Sequence, residues 1–216
     1  MTYLSAAQAA SEMIEAGRRL WLRGLVSGTD GNISCRIGPD RVLSTPTGVS
    51  KASLSEELFV ITDLDGNVIE GKLAPSTELK LHLAAYRERE DIAAVIHAHP
   101  PAATAFASAG IEPDVSTTAE AALLFPNGIP IAPYSLPGGK QLAEAARKCF
   151  AGHKAVLLER HGAVTLGNKI SDALAAMEAV ENAALTELYI RALGGAKALD
   201  KAEIEKLREL SAERGL

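Results

Sequence analysis

The chain has 216 residues, 47% of them hydrophobic and 23% charged, an ordinary globular composition with room for one sizeable core or two small ones. A net charge of −5 argues against a general nucleic-acid binder. No apolar run approaches the roughly 18 residues of a membrane span, and the amino end, with Glu12 and Glu15, has no continuous apolar stretch of the kind a secretion signal needs.

No Pro/Gly/Ser-rich linker or charge block divides the chain, so residues 1–216 are expected to form a single domain. Cys35 and Cys149 lie far apart and outside any Cys-x-x-Cys pair. Two lone thiols fit a reducing, cytoplasmic setting.

In chain order, residues from about Ser5 to Arg23 read as an amphipathic helix, with a capping box from Ser5 and Gln8 and a stop at Gly24. Ser27-Gly28-Thr29-Asp30-Gly31-Asn32 is a polar loop whose exposed N–H groups either cradle an anion or make a plain turn. Short strands are expected over Ile33–Ile37 and Arg41–Ser44, followed by a second Gly-bearing loop, Thr45-Pro46-Thr47-Gly48. Phe59–Thr62 and Val68–Glu70 form a hairpin. Its Asp63–Asn67 connection is a turn, because the rest of a calcium loop is missing.

Pro75-Ser76-Thr77-Glu78 opens a helix that runs to about Arg89, with Ser76 or Thr77 as N-cap. Glu78 is expected in its first turn, where the helix dipole favours a carboxylate, or as a group that reaches a metal or a substrate proton. His82, between Leu81 and Leu83, reads as packing.

Ala93 to Ala98 is an apolar strand carrying His97 and followed by His99 and Pro100. Side chains two apart on a strand share a face, about 6.5–7 Å apart at Cα. The pair either converges on a metal ion or sits at a surface strand end. Proline stops the ladder there, at a carboxyl edge of the kind that holds ligands in open sheets.

Ala102–Ala109 reads as a short helix, and Val115–Leu124, which carries Glu120, is ambiguous. A strand over Ile129–Ala132, a helix over Lys140–Phe150 and strands over Ala155–Leu158 and Ala163–Leu166 follow. His161, at a strand–turn junction before Gly162, is either a third metal ligand or a turn residue, and His153 has no assigned role. Ser171 is expected to cap a long helix to about Leu193, and a charged, peripheral helix over about 200–214 begins at Asp200.

Gly28-Thr29-x-Gly31-Asn32, Thr45-Pro46-Thr47-Gly48, Pro75-Ser76-x-Glu78, His97-x-His99-Pro100, Ala132-Pro133-Tyr134 and His161-Gly162 occur in the order found in class II aldolases and adducins, and the chain resembles that family. The likeness covers residues from about 10 to 190 and is nearest to the bacterial fuculose-1-phosphate aldolase branch. The resemblance implies an α/β fold, a three-layer α/β/α sandwich around a mainly antiparallel sheet, assembled as a homotetramer with sites between subunits. It implies a divalent metal, zinc foremost with manganese or cobalt as alternatives, on His97, His99 and His161. Glu78 is then the fourth ligand and the catalytic acid/base. Asn32, Thr47, Gly48, Ser76 and Thr77 hold the phosphate of a sugar substrate.

The implied reaction is retro-aldol cleavage of a ketose 1-phosphate, through a metal-stabilised enediolate, to dihydroxyacetone phosphate and a small aldehyde. Two departures stand out. Asp30 replaces a small residue common in that branch, so it either points away from the phosphate or ties down the loop. Val115 to Ala119 lacks the tyrosine those enzymes carry near the aldehyde, leaving Glu120 as an additional acid/base candidate. Alternatives in the same superfamily are a sugar-acid phosphate decarboxylase, a pentulose-phosphate 4-epimerase, a methylthioribulose-1-phosphate dehydratase and a non-catalytic adducin-like binding module. The epimerases generally have Asp where this chain has Glu78, and non-catalytic members generally lack the complete set of histidines.

Overall fold

The computed structural model describes residues 2–197 and 199–215. Its elements are α1 (Ala6–Leu22), β1 (Asn32–Gly38), β2 (Arg41–Ser44), β3 (Val60–Thr62), β4 (Val68–Glu70), α2 (Leu79–Glu88), β5 (Ala94–Ala98) and α3 (Pro101–Ala109), then α4 (Ala119–Leu124), β6 (Ile131–Ala132), α5 (Lys140–Phe150), β7 (Ala155–Leu158), β8 (Gly162–Gly167), α6 (Ile170–Ala192) and α7 (Lys201–Arg214). The strands form one sheet in the order β4-β3-β2-β1-β5-β8-β7-β6. Every pairing is antiparallel except β6–β7.

Period-two alternation makes two cores out of this sheet. Ala94, Ile96 and Ala98 of β5, with Ile33 and Cys35 of β1, pack against α1, α3 and α6. Val95 of β5 and Val156 and Leu158 of β7 pack instead against α2 and α5. The result is the α/β/α sandwich around a mainly antiparallel sheet that the resemblance implies. Strand β5 is buried along its whole length. Its parity puts His97 on the α2/α5 side, together with Asn32 and Ser34 of β1.

Local signals explain most boundaries. The Ser5–Gln8 capping box starts α1 and Gly24 follows its end at a φ of 68°. Asp63 accepts from the amides of Asp65 and Asn67, which makes the β3–β4 connection the expected turn. The ambiguous stretch resolves into a single 3₁₀ turn, Val115–Thr117, and then α4, capped by Thr118.

Two expected caps move. Glu78 itself occupies the N-cap of α2, one residue before the helix, while Ser76 Oγ accepts its amide at 3.3 Å. Lys169, not Ser171, is the N-cap of α6. The carboxyl-terminal helix α7 starts with an Asp200–Glu203 capping box and is docked, with Ser211 buried and Arg208 donating to the Pro126 carbonyl.

Candidate metal centre

Three backbone devices bring distant histidines together. Strand β5 carries His97 to its end fully buried, and His99 follows one residue beyond, its amide donating to the Leu25 carbonyl at 3.0 Å. His161 sits in the tight β7–β8 turn behind Arg160, whose φ of 57° is the one positive value at a non-glycine among the described residues. Gly162 lets this turn approach β5. A Cβ there would lie 2.4 Å from the Ala98 carbonyl oxygen and 2.7 Å from the His99 ring.

The imidazole nitrogens converge, with ligand atoms of His97, His99 and His161 all within 4.8 Å of one another. His97 Nε2 lies 3.1 Å from His99 Nε2 and 3.1 Å from Glu78 Oε2. Glu78 Oε1 lies 3.3 Å from His161 Nε2. An ion with tetrahedral bonds of about 2.0–2.1 Å would hold its ligand atoms about 3.3–3.4 Å apart. The spacing here is close to that.

Proton bookkeeping supports the same fit. His97 Nδ1 lies 2.9 Å from the carbonyl oxygen of Ala163, an acceptor, so Nδ1 carries the proton and Nε2 presents a lone pair. His99 Nδ1 faces Asp30 Oδ2 at 3.5 Å, which directs its proton outward as well. Two lone pairs 3.1 Å apart beside a carboxylate repel one another unless a cation lies between them. The donor set therefore suits a divalent metal, with three imidazoles and a carboxylate in the pattern zinc, manganese and cobalt accept.

Burial favours the neutral form, the one able to bind a metal, of His161 and His99. Burial, then the charge of His97, pushes the His161 pKa down from 6.5 to about 4, and the same two causes lower that of His99. Glu78 feels opposing effects. Burial pushes its pKa upward, but in the metal-free protein His97 and His161, when they carry a second proton, and the Asn32 amide hold it well below the ordinary carboxylate range.

The residues expected at the phosphate come together through backbone bonds. Thr47 N donates to Ala74 O at 3.0 Å and Ser76 N to Thr45 O at 3.3 Å, so the Thr45–Gly48 loop is stitched to the segment before α2. Thr47, Gly48 and Thr77 are exposed and Ser76 partly so. Asn32 is turned differently from the expectation. Its Nδ2 donates to Glu78 Oε2 at 3.2 Å, which leaves only the second amide hydrogen for a phosphate. Glu120 is exposed in the first turn of α4 and makes no hydrogen bond to the cluster. His153 is held by the carbonyls of Cys149 and Asn127, outside the site.

Sequence reasoning left Asp30 between pointing away and tying down its loop, and it missed the polar role of His82 and the place of Lys51. Asp30 faces His99 and so ties its loop to the cluster. His82 is the packed residue expected, yet its Nδ1 meets Ser34 Oγ at 2.7 Å, and Ser34 Oγ meets Tyr86 Oη at 2.8 Å, a buried polar chain behind the ligands. The i, i+4 spacing of Glu78, His82 and Tyr86 on one helix face is the signal that was available. Lys51, buried beneath the two Gly-bearing loops, had no sequence signal.

Comparison with known proteins agrees with this geometry. The family model described as the class II aldolase and adducin N-terminal domain matches residues 11–188. The 5-deoxy-D-ribulose 1-phosphate aldolase of Bacillus thuringiensis serovar kurstaki is 39% identical over 198 residues, covering 91% of this chain and 92% of that one. The 3-oxo-tetronate 4-phosphate decarboxylase of Haemophilus influenzae is 33% identical over 175 residues, covering 80% and 83%. A solved L-fuculose 1-phosphate aldolase superposes with a TM-score of 0.88 at 31% identity, covering 95% of this chain and 97% of that one.

Proposed function

The chain belongs to the class II aldolase and adducin family, and from that premise we propose that it is a metal-dependent aldolase, a carbon–carbon lyase acting on a ketose 1-phosphate. It cleaves a fuculose-1-phosphate or 5-deoxypentulose-1-phosphate type of substrate to dihydroxyacetone phosphate and a small aldehyde. The observation that carries this reading is the position of Glu78, its two oxygens 3.1 Å from His97 and 3.3 Å from His161.

His97, His99, His161 and Glu78 hold the divalent metal, zinc by preference. When bound, such an ion supplies Lewis acidity that stabilises negative charge on the substrate oxygens as the carbon–carbon bond breaks. Thr47, Gly48, Ser76 and Thr77, with the second N–H of Asn32, hold the phosphate and fix the bond relative to Glu78. Glu78 moves the proton. Displaced from the metal position, its carboxylate is left in a partly buried site that favours the protonated form, so it can take up a proton and deliver it to the carbon left by cleavage.

The working assembly is a homotetramer with sites between neighbours. Exposed Trp21 and Leu22 at the end of α1, and Leu188, Tyr189 and Leu193 toward the end of α6, support such interfaces. Free thiols at Cys35 and Cys149 support a cytoplasmic location. Among the described residues no helix is long and apolar enough to cross a membrane.

The test is dihydroxyacetone phosphate release from a panel of ketose 1-phosphates, with and without added zinc or manganese. Metal-dependent release is the expected result. The relative from Haemophilus influenzae favours one second reading, decarboxylation of a sugar-acid phosphate on the same ligands. Carbon dioxide loss from such substrates, with no aldol cleavage, would replace the first reading with it.

A further inference from the structure

A buried lysine lies under the two loops assigned to the phosphate. Lys51 is 1% exposed, yet no carboxylate among the described residues lies within ion-pair distance of its Nζ. Instead Nζ donates to the Thr29 carbonyl at 3.1 Å and to the Val49 carbonyl. Thr29 belongs to the Gly28–Asn32 loop and Val49 follows Gly48, so one ammonium joins both glycine-bearing loops from below. Helix α1 seals the lysine from behind. A Cβ at Gly17 would lie 2.7 Å from the Lys51 carbonyl oxygen.

A clip between two carbonyls does not require a charge, and a lone buried ammonium is costly. Burial pushes the Lys51 pKa down to about 8, with Asp30 opposing the shift. Asp30 does not neutralise it, because that carboxylate turns to His99. The cation therefore stands without a contacting carboxylate, beneath loops that offer backbone and hydroxyl donors to solvent. A phosphate dianion seated on those loops supplies the missing negative charge, and in a partly dry site the attraction is far less screened than in water.

We infer that Lys51 is a positioning and specificity-determining residue: it clamps the two loops together and its buried charge selects substrates that carry a phosphate dianion. The inference rests on the proposed assignment of those loops to phosphate.

The test uses zinc-loaded protein and inorganic phosphate as the probe, with affinity measured by titration calorimetry. Lys51→Met is expected to weaken phosphate binding about tenfold or more, while zinc stoichiometry stays unchanged. Lys51→Arg, which keeps the charge, is expected to stay within about threefold of the parent protein. Equal phosphate affinity in Lys51→Met overturns the inference, and so does an equal loss in both variants, which would mark a packing role only. Failure of the unsubstituted protein to bind phosphate would instead remove the loop assignment itself, and this inference with it. Should Lys51→Met not fold, the Lys51 ammonium resonance of ¹⁵N-lysine-labelled protein decides. It is expected to move when phosphate binds, and an unmoved signal in phosphate-bound protein overturns the inference.

Discussion

Asn32 and His97 are direct partners across the β1–β5 pair, and both reach the same carboxylate oxygen of Glu78, at 3.2 and 3.1 Å. A single strand register therefore sets the donor that steadies Glu78 and the imidazole that faces it. A slip of β5 by one residue would send His97 to the α1/α6 face while Asn32 stayed with Glu78. The burial of β5 on both sides opposes that slip, because every residue from Ala94 to Ala98 is packed. Core packing and site geometry are here one constraint.

Glu78→Gln tests the proton-carrier role. The amide keeps the shape of the side chain and still accepts from Asn32 through its carbonyl oxygen, but it cannot carry a proton. Turnover is expected to fall by about 10²–10⁴-fold, with inorganic phosphate affinity unchanged because the Thr45–Gly48 loop is held by backbone bonds. Near-normal turnover in a steady-state assay would remove Glu78 from the chemistry.

Much of this site was legible in the sequence, for physical reasons. His97 and His99 announce themselves because a period-two strand ending in proline leaves few other arrangements. Of the glycines in the two loops, Gly31 sits where backbone must approach backbone. A Cβ there would lie 2.9 Å from the His97 carbonyl oxygen. What stayed illegible depends on contacts distant in sequence. Nothing local reveals that Asp30 meets His99, 69 positions on (99 − 30), or that Lys51 closes over Thr29. The N-caps of α2 and α6 fall at Glu78 and Lys169, neither of which makes a side-chain cap bond, and at α2 the Ser76 hydroxyl accepts the Glu78 amide from just outside the helix.

Metal removal should act on stability as well as on turnover. Chelation leaves the lone pairs of the histidines and the Glu78 carboxylate facing one another at 3.1–3.3 Å. A ligand at a hundred times its dissociation constant stabilises the folded state by about 2.7 kcal/mol. The chelated protein is expected to lose activity and to melt several degrees lower, with zinc or manganese restoring both. An unchanged melting curve across chelation and re-addition would mean that no metal occupies the cluster.

Asp30→Ala addresses the carboxylate that departs from the aldolase-like pattern. At 3.5 Å from His99 Nδ1 it is long for a strong hydrogen bond, but it orients the ring electrostatically. Removing such an outer partner typically costs about 10–100-fold in metal affinity. Competition against a chromophoric chelator should register that loss. Undiminished affinity would show that the His99 ring is held by packing alone.

Ser34→Ala probes the buried chain behind the ligands. Its hydroxyl serves His82 and Tyr86 together, and only Tyr86 has a further contact, to the Ala93 carbonyl at 3.4 Å. The variant strands a buried imidazole nitrogen, at a cost of about 1–3 kcal/mol. Urea unfolding should show a lower midpoint at an unchanged m-value. A midpoint equal to that of the parent protein would mean the imidazole finds another partner.

Acid sensitivity follows from the same buried histidine, and its sign can be worked out. Burial foremost, then the charge of His97, lowers the His82 pKa from 6.5 to about 3, and burial lowers that of His161 to about 4. Below pH 6.5 the unfolded chain therefore binds protons that the folded chain refuses. The stability these groups contribute is complete above that pH and is lost as pH falls toward 4 and then 3, at up to about 1.4 kcal/mol per pH unit for each proton. Glu78, also lowered, adds the same direction of loss only below its ordinary value of 4.5. Metal-free protein is the right sample, because a bound ion would hold His161 unprotonated. Its urea midpoint should decline steadily from pH 6.5 to 4. His82→Leu, which removes one of the protons refused on folding by His82, His99 and His161 and leaves Ser34 paired with Tyr86, should show a shallower decline over that window. A flat profile in the parent protein between pH 6.5 and 4 would mean that none of these imidazoles resists protonation on folding.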